Sequence, residues 1–232
     1  MHRTFALTIA GLALAGVGSA AAEPNIKGSF GFTGTAACLV AVGHVGDPNT
    51  SPPMANPTPG VALPNAGFNA NLQPNDNPGS EAFSFSNAVE GIRTFDGHGH
   101  GTVKGTTVGI TVRPTPGPGG FPHFPPSAAG ADFSYKFSYV VHPDRSWTAT
   151  MVPGSYTETF TAGPRTGQTA TVDAIPPGTG MISEDGDTLI SASSAPTVET
   201  VSFSNGDVHP QICHRSRVYI KLKDHDDDHG HH

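Results

Sequence analysis

The stretch "ADFSYKFSYVV", residues 131–141, decides the fold class. Large aromatic side chains alternate in it with serine and lysine, and a period of two predicts a β-strand with one buried face. In a closed barrel this face would point inward, where it could line a ligand-binding site or form ordinary core. The aromatic residues of the face are Phe133, Tyr135, Phe137 and Tyr139.

The same alternation recurs near both ends of the chain, in "IKGSFGF" (26–32) and in "ICHRSRVYIKL" (212–222). Turn dipeptides such as Asp96-Gly97 and Asn205-Gly206 separate the alternating segments. We predict eight strands, at about 26–40, 81–95, 102–113, 131–142, 147–162, 168–183, 188–204 and 208–223.

Prolines within three of these segments should bend or interrupt the strands, because proline cannot donate to the hydrogen-bond ladder. They occur at Pro153-Gly154, Pro176-Pro177-Gly178 and Pro196. Two long connections, 41–80 and 113–130, are rich in proline and glycine, and loops of this length are usually functional or mobile. Their aromatic residues should pack over the domain, since structureless linkers rarely carry aromatics. These residues are Phe68, Phe121 and Phe124.

Eight sequential strands predict one all-β domain over residues 23–223, closed as an antiparallel up-and-down barrel. A two-sheet β-sandwich with the same strand count is the alternative architecture. Glycine (29) and proline (22) are abundant and only 13% of the residues are charged, which favours turns over long helices. No basic stripe is present, so nucleic acid is not an expected partner.

Residues 1–22 have the features of a secretory signal peptide. Arg3 precedes an apolar run that ends near Val17, and Ala20-Ala21-Ala22 forms an A-x-A cleavage pattern. The run is too short to cross a bilayer, which takes roughly 20 residues, and no later segment is apolar enough. We therefore expect an exported protein, periplasmic or extracellular, without a membrane span.

Cys38 and Cys213 are the two cysteines of the chain and should form a disulfide in an oxidising compartment. They lie at the end of the first predicted strand and at the start of the last, and these ends meet when an even-numbered meander closes. The bond would then close the barrel seam. An unbroken pleat, however, places Cys213 on the face opposite Val218 and Ile220, so we expect a β-bulge at Gly34 or just after Cys213.

The chain resembles small exported bacterial β-barrels of the lipocalin-like and allene oxide cyclase-like kind. The resemblance rests on "GSFGF" (28–32), on "FDGHGHGTVKGT" (95–106) and on the eight-strand meander. It implies a barrel whose interior can hold one small apolar ligand. The chain departs from the patterns of these families in two ways. Phe30 stands where true lipocalins commonly have tryptophan, and no catalytic residue of the cyclases can be matched to a position in this chain.

No nucleophile-elbow, P-loop or zinc-protease motif is present, so no catalytic residue is predicted. His98 and His100 alternate in a hairpin and could bind a metal together, although a polar loop at the barrel rim is the simpler interpretation. Arg215 and Arg217 share one face of the last strand and could bind an anion. We favour a solvated outer face for them, since the exterior of a barrel carries such charges.

The tail "DHDDDHGHH", residues 224–232, is too polar to pack and should be disordered without metal. Imidazole groups suit zinc, nickel and copper, and carboxylates add complementary charge. The predicted ligands are His225, His229, His231, His232, Asp224 and Asp226. A solubilising acidic end is the alternative interpretation of the same residues.

Three functions are compatible with these patterns. The leading hypothesis is an exported, non-enzymatic β-barrel protein that binds a small apolar ligand through the aromatic face of 133–139. The first alternative is binding or sequestration of a divalent metal by the tail. The second alternative is an enzyme of the barrel-cyclase type. No cofactor is expected other than Zn, Ni or Cu at the tail.

Overall fold

The computed structural model describes residues 25–41, 67–68, 71–74, 82–112, 127–173 and 175–223. Within these ranges it contains eleven β-strands, all antiparallel in one sheet, and no α-helix. The predicted signal peptide, the predicted tail and most of the two long connections lie outside the described residues. The described ranges contain no helix capable of crossing a membrane.

Five long strands form most of the sheet: β1 (Lys27–Val40), β2 (Phe83–Asp96), β3 (His100–Val112), β4 (Ser127–Val141) and β11 (Val208–Lys221). Six short strands complete it: β5 (Ser146–Met151), β6 (Thr157–Ala162), β7 (Thr169–Asp173), β8 (Gly178–Ile182), β9 (Thr188–Ser193) and β10 (Val198–Phe203). Because β1 pairs with both β2 and β11, the sheet closes into a ring of eight strands, β1-β2-β3-β4-β5-β8-β9-β11. This is the closure predicted for a barrel, and a flattened ring with two packed faces has the same pairing.

Three of the eight predicted strands are each divided in two at the proline-containing positions. The predicted strands at 147–162, 168–183 and 188–204 correspond to β5 and β6, to β7 and β8, and to β9 and β10. The first half-sheet (β5, β8, β9) and the second half-sheet (β6, β7, β10) pair separately, and β4 and β11 border both. The side of the ring between β4 and β11 therefore consists of two half-sheets, and no strand of the described residues in one pairs with a strand in the other. We call this side the interrupted wall.

Aromatic side chains form the main core inside the ring, around Phe95. Four rings meet Phe95 edge to face: Phe30, Phe137, Tyr139 and Trp147. Edge-to-face contacts add to the free energy gained by apolar burial. On the predicted inward face of β4, three aromatic residues are buried and Tyr135, which is half-buried, packs against the same core.

The seam between β1 and β11 contains the predicted disulfide. Cys38 lies opposite Cys213 in an unbroken antiparallel register, and their sulfur atoms are bonded. The prediction of a β-bulge at Gly34 or after Cys213 is therefore wrong. The reason is that β11 turns its other face inward: Tyr219 is 1% exposed, whereas Val218 is 45% exposed. The disulfide is compatible with an oxidising, exported location.

The short segment 67–68 covers part of the second half-sheet from outside. Phe68 is 2% exposed and packs with Ala41 and Val198. This contact confirms that the aromatic residue of the first long connection packs on the domain, and it helps bury β10 on both faces. Phe121 and Phe124 of the second connection lie outside the described residues.

Candidate functional site

The interior of the ring contains charged side chains from three strands. Arg93 of β2 is 4% exposed, and Glu199 of β10 is completely buried. Arg215 and Arg217 share the inward face of β11 with Cys213, and each has a buried guanidinium nitrogen. The interpretation of these two arginines as a solvated outer face is therefore wrong. Their aliphatic stems and planar guanidinium groups can pack against the aromatic rings of the interior.

Aromatic rings hold the guanidinium group of Arg93. Its central carbon lies 3.8 Å from the ring centre of Phe137 and 5.0 Å from that of Trp147. At such distances the ring faces attract a cation, which offsets part of the cost of burying the charge. Arg93 also donates a hydrogen bond from Nη1 to the hydroxyl oxygen of Tyr219 at 3.2 Å.

The hydroxyl group of Tyr219 lies among positive charges. Ser191 is hydrogen-bonded to it, with 3.2 Å between Oγ and the phenolic oxygen. Burial by itself raises the pKa of Tyr219, but the charges of Arg93 and Arg217, together with the hydrogen bonds, bring the pKa below its usual value. A lowered phenol pKa in a buried position indicates a positive local potential.

A second polar group joins the two half-sheets. Arg215 forms an ion pair with Glu199 through Nη2 and Oε1, and Gln211 donates a hydrogen bond to the same oxygen at 3.2 Å. The backbone N–H of Arg215 donates to Oγ of Ser193 at 3.0 Å. Because Ser193 ends β9 and Glu199 belongs to β10, Arg215 connects the two half-sheets across the interrupted wall.

The arginines and Tyr219 border a cavity of about 50 Å³ inside the ring. Its polar lining is Arg93, Arg215, Arg217, Tyr219, Ser191 and Ser193. Its apolar lining comes from β4 and from the interrupted wall: Tyr135, Phe137, Met151, Ile175 and Pro176. Of the four predicted ligand-binding residues, the structure thus brings Tyr135 and Phe137 to the cavity, whereas Phe133 and Tyr139 pack in the core.

Several buried polar atoms in this interior have no hydrogen-bond partner among the described residues. Three are guanidinium nitrogens, Nε of Arg93, Nε of Arg217 and Nη1 of Arg215, and the other two are Oε2 of Glu199 and Nε1 of Trp147. A buried polar group without a partner costs about 1–3 kcal/mol, and more when it is charged. The cavity is therefore bordered by charged donors that can bind an acceptor.

Arg93 and Glu199 are not among the predicted site residues. Arg93 alternates with Phe95 and Phe83 along β2, and this shared inward face was the available signal. Glu199 carries no such signal, because β10 is buried on both faces and alternation there is uninformative.

The histidine pair at the β2–β3 turn has a different environment. Asp96 accepts hydrogen bonds from the backbone N–H groups of His98 and His100 at 2.7 and 3.0 Å, while both imidazole side chains are exposed. In the part of the chain that the structure describes, no group of three or more His, Cys, Asp or Glu side chains could hold a metal ion. The predicted ligands of the tail, 224–232, lie outside that part.

Glu158 of β6 is a half-buried acid in the second half-sheet. Burial raises its pKa from 4.5 to about 7, although a hydrogen bond with Tyr156 opposes the rise. The folded protein therefore holds a proton at this carboxyl group over a pH range in which the unfolded chain has lost it. The resulting stability is fully present below about pH 4.5 and is lost as the pH rises through about 7.

We expect the Glu158→Gln variant to lose this pH dependence. In the wild type, the group should lower the free energy of unfolding by up to about 3 kcal/mol between pH 4.5 and pH 8. Urea unfolding at several pH values measures the slope, and Glu90→Gln, at an exposed position of β2, is the matched control. A Glu158→Gln variant with the wild-type slope would contradict the assignment.

Comparison of the chain with protein-family models, with curated proteins and with solved structures gives no match. The resemblance to lipocalin-like and allene oxide cyclase-like barrels accordingly stays a prediction.

Proposed function

We propose that this chain is an exported, non-enzymatic protein that binds a small and largely apolar ligand inside the strand ring. The observation that carries the proposal is the cavity at the interrupted wall, bordered by Tyr135, Phe137, Met151 and Ile175. Ligand sites are typically concave and apolar, with a few convergent polar groups. Export is supported by the N-terminal pattern of residues 1–22 and by the buried disulfide.

The interrupted wall supplies a route for the ligand. No strand ladder of the described residues joins the first half-sheet directly to the second, and both half-sheets are held by their pairing with β4 and β11. The ladder between β6 and β7 consists of two residue pairs, Glu158 with Ala170 and Thr159 with Thr169, and Phe160 adds backbone hydrogen bonds with Gly167 and Gln168 at the turn. Regions held by few backbone hydrogen bonds open at low free-energy cost. We propose that the ligand enters beside Ile175, which lines the cavity at the break between the half-sheets.

Fluorescence titration with N-phenyl-1-naphthylamine, a neutral apolar dye, tests the proposal. We expect saturable enhancement with the wild type. The Ile175→Asp variant should bind the dye about tenfold more weakly or worse, because a carboxylate would have to be desolvated beside it. Ile190→Asp, at a position 51% exposed on the outside of β9, should bind as the wild type does. The absence of saturable binding, or equal binding by Ile175→Asp, would contradict the proposal.

Divalent-metal binding by the tail is the second candidate function. It is favoured by the four histidines and four aspartates of residues 224–232. Native mass spectrometry of protein purified from its own host separates the candidates, since a retained organic mass supports the ring site and a retained metal supports the tail. Enzymatic activity of the barrel-cyclase type is a third hypothesis, and no residue described above carries it.

A further inference from the structure

We propose that the ligand is a small organic anion, whose negatively charged group is bound by Arg217 and Arg93 beside the hydroxyl of Tyr219. The inference rests on the proposed function and specifies the chemistry of its ligand. A carboxylate attached to an apolar chain has the required properties. Three features of the site support it: the balance of charge, the unpaired donors and the size of the cavity.

The charges around the cavity do not balance. Three arginines border it, and among the ion pairs of the described residues only Arg215 has a carboxylate partner, Glu199. Glu158 lies nearby in the second half-sheet, but burial raises its pKa to about 7 and reduces its negative charge. The positive charges therefore outnumber the negative ones, and buried charges are normally compensated by an opposite charge.

The donors that lack partners belong to the same arginines. Nε of Arg93 and Nε of Arg217 are buried without a hydrogen-bond partner among the described residues. Between these two side chains, the phenol of Tyr219 provides a further hydroxyl donor. Hydrogen bonds from guanidinium to an oxyanion are roughly twice as strong as bonds between neutral groups. A carboxylate would therefore satisfy donors that the protein leaves unpaired.

The cavity is large enough for the charged group of a ligand but too small for the whole molecule. A cavity of about 50 Å³ can hold a carboxylate, whereas a site for a complete drug-sized ligand takes roughly 300 Å³ or more. The rest of the molecule would extend into the break between the half-sheets, where Met151, Ile175 and Pro176 offer apolar surface. This arrangement requires one acidic group joined to an apolar chain.

Calorimetric titration at neutral pH with octanoate, octanol and octylammonium tests the inference, because the three probes share one chain and differ in charge. We expect octanoate to bind, octanol to bind about tenfold more weakly or worse, and octylammonium to show no binding. Arg217→Gln should weaken octanoate by about tenfold or more and leave octanol almost unchanged. Lys104→Gln, which removes a positive charge from the outside of β3, should leave all three unchanged.

The outcomes separate this inference from the proposed function. Equal affinity for octanoate and octanol, or unchanged octanoate binding by Arg217→Gln, overturns the inference alone, provided that the neutral dye still binds. If neither the dye nor octanoate binds, both proposals fail. Inorganic phosphate binding as tightly as octanoate would show a site for free oxyanions and would overturn the organic-anion class. If Arg217→Gln does not fold, Arg217→Lys replaces it and should keep the preference for octanoate with lower affinity.

Discussion

Replacing Phe137 by alanine should lower the free energy of unfolding by about 3–5 kcal/mol. Phe137 is 1% exposed, and its ring contacts Phe95 and lies 3.8 Å from the guanidinium carbon of Arg93. The substitution removes apolar burial and leaves a cavity. It also deprives a buried cation of the aromatic face nearest to it. Urea unfolding followed by circular dichroism measures the difference.

Val140→Ala on the same strand is the control for this measurement. Val140 is 59% exposed on the outer face of β4, so its truncation should change the free energy of unfolding by no more than about 0.5 kcal/mol. If Phe137→Ala is as stable as the wild type, the inward face of β4 is assigned wrongly, and the lining of the cavity with it.

Removing the disulfide should have an effect of similar size. The double variant Cys38→Ala, Cys213→Ala should lose about 2–5 kcal/mol of stability, because the bond restricts the unfolded chain over a long loop. The two residues are 175 positions apart in the sequence. A measured loss in this range would support the seam as a covalent closure of the ring.

Reduction provides an independent control for the disulfide. A reductant should shift the urea midpoint of the wild type close to that of the double variant and leave the midpoint of the variant in place. Native protein that unfolds at the same urea concentration with and without reductant would show that the bond contributes nothing to stability.

Local patterns predicted the strands, their interruptions and the disulfide. Alternation marks a half-buried strand wherever it occurs, and proline breaks a ladder for a chemical reason that does not depend on the rest of the fold. The divisions near Pro153, Pro176 and Pro196 therefore appear where they were expected. The pairing of Cys38 with Cys213 could be predicted because the closure of an even-numbered meander brings those strand ends together.

The inward face of β11 could not be predicted from hydropathy. The rule that apolar side chains point inward selects Val218, but the interior contains aromatic rings and Glu199, and these accommodate Arg215 and Arg217. The cysteine position carried the correct information, since an unbroken pleat from Cys213 places both arginines inward. A glycine opposite Arg217 agrees with this, because a Cβ at Gly34 would lie 2.2 Å from the backbone oxygen of Ser216 and 2.7 Å from Cγ of Arg217.

The cavity itself depends on neighbours that no local pattern fixes. Arg93 reaches Tyr219 only because β2, β1 and β11 are adjacent in the closed ring. The ion pair of Arg215 with Glu199 likewise requires β10 to pair with β11 beyond the end of β9. These contacts follow from ring closure, so the sequence contains their residues without indicating that they meet.

Closure of the ring by its first and last strands also has a kinetic consequence. The ladder between β1 and β11 joins residues as far apart as Phe30 and Lys221, which raises the contact order of the fold. Folding rates fall as contact order rises, because the entropy of closing such a loop is lost before the distant pairs are gained. A chain unfolded with its disulfide intact already holds these strands together. Oxidised protein therefore begins refolding with its longest loop already closed, whereas reduced protein has to close that loop during folding.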